Sequence, residues 1–110
     1  VAGIDDVRAN VGSTGYPMSN FEFVEGDVAQ TLLTRVPEQI SLLRLDTDWY
    51  ESTKIGLEIM YPRLVVGGVC ILDDYGHWVG ARKAVDDYFA GQRPYMHQID
   101  YSGRVFVKTR

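Results

Sequence analysis

The sequence has a single cysteine, Cys70, so no disulfide can form within the chain, and a reducing compartment is expected. Its near-apolar run from Val65 to Leu72 contains two glycines and is far short of the ~20 residues that a membrane-spanning helix needs. Basic residues are in deficit: 11 Lys and Arg face 15 Asp and Glu, for a net charge of −4. That argues against a dedicated nucleic-acid binder, which would carry a basic face. There is no Gly-x-Gly-x-x-Gly, no phosphate loop, no zinc spacing and no Gly-x-Ser-x-Gly. The opening Val1-Ala2-Gly3-Ile4-Asp5-Asp6 has neither Met nor a basic-then-apolar signal segment, and it reads as the interior of something longer. What remains is globular. With 45% hydrophobic and 24% charged residues in 110, the chain fits one soluble domain, expected in the cytoplasm.

Periodicity sets the elements. Ile4, Val7 and Val11 mark one face of a helix, stopped by the turn residues Gly12 to Pro17. Phe21 to Glu25 alternates and is expected as a strand, followed by a short helix over 28–36 that Pro37 closes. Ile40 to Leu45 is a buried-looking strand. A helix then runs to about Tyr61, Gly67-Gly68 turns into a strand over Val69 to Leu72, and a further helix spans about 77–90. That last helix is expected to bury Trp78, Ala81, Val85, Tyr88 and Phe89, with Arg82, Lys83, Asp86 and Asp87 solvated opposite. Two alternating stretches about Tyr101-Ser102-Gly103 signal a hairpin. The fold class is therefore α/β: a mostly parallel sheet finished by an antiparallel hairpin, with helices on both faces.

Ligands of such sheets sit beyond the carboxyl ends of the strands, and here two strands end in acids. One runs into Asp46; the other runs into Asp73-Asp74, a strand–helix–strand crossover later. If they pair directly, their axes lie ~4.8 Å apart and three carboxylates converge. Such a cluster needs positive charge, and a hard divalent cation is the natural candidate. Asp48 and Glu51 have capping-box spacing, so Asp48 is expected to start a helix rather than bind metal. Asp73 or Asp74 would cap the following helix in the same bland reading. His77, beside the acids, is a candidate base or an ordinary exposed residue, and His97 is expected to be structural. Trp49, Tyr50 and Tyr75 flank the acids, either as pocket lining or as packing.

Leu43-Arg44-Leu45-Asp46-Thr47-Asp48-Trp49-Tyr50-Glu51-Ser52-Thr53, Tyr61-Pro62-Arg63-Leu64, Gly67-Gly68, Asp73-Asp74-Tyr75-Gly76 and Ala81-Arg82-Lys83-Ala84-Val85-Asp86 occur in this order. Together they resemble the macrocin O-methyltransferase family, S-adenosylmethionine-dependent enzymes that methylate hydroxyl groups on sugars or other small molecules. The resemblance implies a partial Rossmann-like fold and a magnesium ion held by Asp46, Asp73 and Asp74. It also implies Asp46 or His77 as the base, and a loop at Gly26, Asp27 and Val28 that contacts the cofactor adenine. The family's first two strands, which carry most of the cofactor site, are absent. Residues 1–110 thus read as a single C-terminal portion of a methyltransferase domain, which leaves activity of the chain alone an open question. The strand at 40–45, central in that family, would then be an exposed apolar edge, so a homodimer or larger assembly is expected. Two alternatives remain open on residues alone: a magnesium-dependent phosphatase of haloacid-dehalogenase type, and a non-catalytic remnant that self-associates.

Overall fold

The computed structural model describes residues 3–110; Val1 and Ala2, the start of the opening read above as interior sequence, lie outside the described residues. Four helices and four strands follow one another: α1 Ile4–Gly12, α2 Val28–Thr31, β1 Ile40–Leu45, α3 Tyr50–Met60, β2 Leu64–Leu72, α4 Val79–Phe89, β3 His97–Gln98 and β4 Arg104–Val107. The sheet order is β1-β2-β4-β3. β1 and β2 are parallel, joined across α3, while β4 runs antiparallel to both β2 and β3. The sheet is therefore mixed rather than mostly parallel, because only one crossover lies among the strands that form.

Apolar side chains at alternate strand positions build the core. Leu43 and Leu45 of β1, Cys70 and Leu72 of β2 and Phe106 of β4 meet Leu57 of α3 and Val85 of α4. Burial pushes the Cys70 thiol up to about 12, which leaves it an inert packing residue. Among the described residues no helix is long and apolar enough to cross a membrane.

Four local expectations are corrected. Phe21 to Glu25 is extended but pairs with no strand, so it is not a β-strand. Its rings find one another instead: Phe21 stacks on Phe23 at 6.2 Å, and Arg8 of α1 lies over Phe23 at 5.6 Å. A strand exists only where a neighbour supplies its ladder, and this segment has none among the described residues. Gly67-Gly68 does not precede a strand; it bulges within one. Ile40 pairs with Leu64 but Leu42 with Val69, so the extra residues of β2 must loop out. Gly67 takes φ +90°, and a Cβ on Gly68 would stand 2.8 Å from the Val65 carbonyl oxygen. The short helix after Asp27 ends at Thr31, well before Pro37. The last helix buries Ala81, Ala84 and Val85 but leaves Trp78 at its start 40% exposed.

The amino-terminal third stays loosely covered. α1 buries none of its residues, and Leu42 on β1 is 60% exposed. β1 has β2 on one side and no partner on the other among the described residues. The segment 21–25 does not slide in to cover it.

Candidate active site at the strand ends

β1 and β2 end side by side, and the Asp73 N–H donates to the Leu45 carbonyl at 3.0 Å. That bond fixes the acids after one strand against the acid after the other. A second anchor holds the loop 46–49. Thr53, 2% exposed on α3, donates to the Thr47 carbonyl at 3.0 Å, and the two threonine hydroxyls lie 2.8 Å apart. Nothing in the sequence singled out Thr53; a threonine in the first turns of a helix that follows an acidic loop is the signal that was available.

The acids divide into two sets. Arg44, on the exposed face of β1, donates to Asp73 and lies 3.5 Å from Asp46. It supplies positive charge beside the cluster, a role that the apolar pattern of the strand does not mark. Asp74 has no such partner. Its Oδ2 is buried without a hydrogen bond. Facing Asp74 are Asp46 and Asp48, whose carboxylates can only accept. Burial first, then repulsion from Asp48 and Asp46, pushes the Asp74 carboxyl up to about 6. The fold thus brings Asp46, Asp48 and Asp74 together and turns Asp73 toward Arg44. Among the described residues no three such groups are arranged as a finished cation cage. The fit to a cation rests on an orphaned, buried carboxylate oxygen in an all-oxygen donor set, the chemistry of a hard divalent ion.

The capping expectations fail here. α3 starts from Trp49 and α4 from Trp78, and neither helix has a side-chain cap. Asp48 is drawn into the acid group instead. Asp74 serves α4 only through its carbonyl, which accepts from the N–H of His77 at 3.2 Å and of Trp78 at 3.0 Å.

The flanking residues separate by burial. Tyr75 is core, 5% exposed, with its hydroxyl donating to Asp86 at 3.0 Å. Tyr50 donates to Asp87 at 2.8 Å. Arg82 and Lys83 form i, i+4 pairs with Asp86 and Asp87 on a solvated face, as expected. His77 is exposed and edge-on to Trp78 and Tyr101. His97 sits in β3 opposite Val105. At the cofactor loop, Gly26 has φ +137°, Val28 opens α2, and Asp27 caps that helix by accepting from the Ala29 N–H at 3.0 Å.

A sequence profile of the macrocin O-methyltransferase family matches residues 2–108. The chain belongs to that family. It is similar to demethyldecarbamoylnovobiocin O-methyltransferase of Streptomyces niveus, 36% identical over 86 residues, which are 78% of this chain and 33% of that protein. An 8-demethyl-8-(2,3-dimethoxy-alpha-L-rhamnosyl)-tetracenomycin-C 4'-O-methyltransferase of Streptomyces olivaceus is 39% identical over 85 residues, 77% of this chain and 32% of that one. Among solved structures, the O-methyltransferase NovP superimposes with TM-score 0.93 at 32% identity, over 99% of this chain and 46% of NovP. CalS11, a TDP-rhamnose 3'-O-methyltransferase, gives TM-score 0.67 at 27% identity, over 76% of this chain and 40% of its own. The chain spans about a third of the length of these curated relatives. Membership of the macrocin O-methyltransferase family sets aside the phosphatase alternative.

Proposed function

We propose that the chain forms the acceptor side of an S-adenosylmethionine-dependent O-methyltransferase that acts on a sugar hydroxyl with a divalent cation at the strand ends. The observation that carries this reading is the buried, unpartnered Asp74 Oδ2 facing Asp46 and Asp48. In this proposal Asp46, Asp73 and Asp74 hold magnesium, and Arg44, which bridges Asp46 and Asp73, marks where positive charge is wanted. When bound, the cation lowers the pKa of the acceptor hydroxyl and S-adenosylmethionine supplies the electrophilic methyl group.

The chain's own residues orient the acceptor and take its proton. Asp46 is engaged by Arg44, and His77 is exposed and edge-on to Trp78 and Tyr101. Asp48 is half-buried and has no ion pair among the described residues. We therefore assign proton acceptance to the Asp48 carboxylate in place of Asp46 or His77. Gly26, Asp27 and Val28 form one edge of the cofactor site in this proposal. The reading is tested by magnesium binding to the chain, which should be lost in Asp46→Ala.

The proposal extends to assembly. The open edge of β1, with Leu42 outward, suits pairing with a second copy across a two-fold axis. Sedimentation velocity of the chain should show a concentration-dependent dimer that Leu42→Lys weakens. A monomer at every concentration would remove this part of the proposal.

A further inference from the structure

We propose that Trp49 and Trp78 form an aromatic platform that binds the sugar ring of the acceptor beside the acids. The proposal rests on the methyltransferase reading above and adds the element that recognises the substrate. These are the chain's two tryptophans, and each stands at the start of a helix. They meet because the helix starts cross closely: a Cβ on Gly80 would lie 3.0 Å from the Tyr50 nitrogen. The rings are 6.2 Å apart with their planes at 41°. His77 extends the row edge-on to Trp78 at 4.9 Å, and Tyr101 lies 5.7 Å beyond His77.

Exposure separates this pair from packing. Trp49 is 70% exposed and Trp78 40%, whereas Tyr75, also beside the acids, is buried. Adjoining exposed aromatic rings of this kind are surfaces on which ligands bind. The choice of occupant follows from chemistry. Lys and Arg side chains lie over the rings of Tyr50, Tyr61 and Tyr75, yet none lies over either tryptophan among the described residues. With no cation over them, the indole faces keep the partial negative charge that attracts the weakly positive C–H face of a sugar. Trp49 adjoins Asp48 in the chain, and the Trp78 N–H is bound to the Asp74 carbonyl. A sugar lying on the platform would turn its hydroxyl edge toward the acids.

Because no other indole is present, intrinsic fluorescence reads the platform directly. Titration with methyl α-L-rhamnopyranoside should change the emission saturably. Trp49→Ala and Trp78→Ala should each weaken rhamnoside binding about fivefold, and Trp78→Phe should retain most of it. Magnesium binding, followed separately by calorimetry, should be unchanged in all three variants. Circular dichroism checks their folding, and Trp49→Leu or Trp78→Leu, apolar but without a ring face, replaces an alanine variant that does not fold, with the same loss of affinity expected. Unaltered rhamnoside affinity in both alanine variants overturns the platform alone, with the metal reading intact. No rhamnoside binding by the unmodified chain overturns both the platform and the sugar-hydroxyl reading. An emission change with S-adenosylhomocysteine but not with rhamnoside assigns the rings to the cofactor and also overturns the proposal.

Discussion

Replacing Asp74 by Asn is expected to make the chain more stable at neutral pH while removing its affinity for a divalent cation. The two effects share one cause. Asp74 carries its charge into a place where Asp46 and Asp48 repel it and Oδ2 meets no donor. Its carboxyl is raised from 3.8 to about 6, so ionising it costs the folded state on the order of 2 kcal/mol once screening by water at exposed Asp46 is allowed for. The amide keeps the shape and can donate to either neighbour. The pH dependence has a definite sign. Below the unfolded value near 4 both states hold the proton, and the penalty is absent. As pH rises from about 4 to about 6 the unfolded chain gives up its proton first, so stability falls across that window and is level above it. Thermal melts should therefore show this fall in the parent chain and lose it in Asp74→Asn. A variant that is less stable than the parent at neutral pH would contradict the picture of an uncompensated carboxylate. Sites kept against stability in this way are where function is expected.

Phe106→Ala should unfold the chain or bring it close to unfolding. Phe106 is 1% exposed, sits opposite Cys70 in the sheet, and packs on Tyr61 and Phe89 at 6.1 and 6.0 Å. Truncation leaves a cavity bounded by strand and helix that cannot collapse, for a cost of about 3–5 kcal/mol. Small domains have about 5–15 kcal/mol in all, and this one leaves α1 and an edge of β1 without cover. The adjacent Val107 is 51% exposed, and Val107→Ala should change stability by no more than about 0.5 kcal/mol. Urea denaturation of the two variants separates the outcomes. Similar midpoints would show that the core is not centred on Phe106.

The sheet of this protein was legible where strands and helices alternate with clear period. β1, α3, α4 and the terminal hairpin fall close to where apolar spacing puts them. The segment 21–25 was misread because alternation describes what a strand would bury, whereas a strand also needs a neighbour to bond to. Gly67-Gly68 was misread because two glycines mark tight backbone, and a bulge satisfies that as well as a turn does. At the site, the strand-end rule points to Asp46, Asp73 and Asp74, of which the fold groups Asp46 and Asp74 with Asp48 and pairs Asp73 with Arg44. The sorting among them depended on Arg44 and Thr53, whose partners lie on other elements. Asp48 shows the same limit from the other side: capping-box spacing is local, and the approach of Asp74 from the next strand end is not.

The claim that the acids at the strand ends are the working centre is tested most directly by titrating the chain with magnesium while following its backbone amide resonances. The proposal predicts shifts confined to residues 44–49 and 73–77, saturating with one ion per chain and absent in Asp46→Ala. Shifts that fall elsewhere, or none in the parent chain at millimolar magnesium, would contradict it.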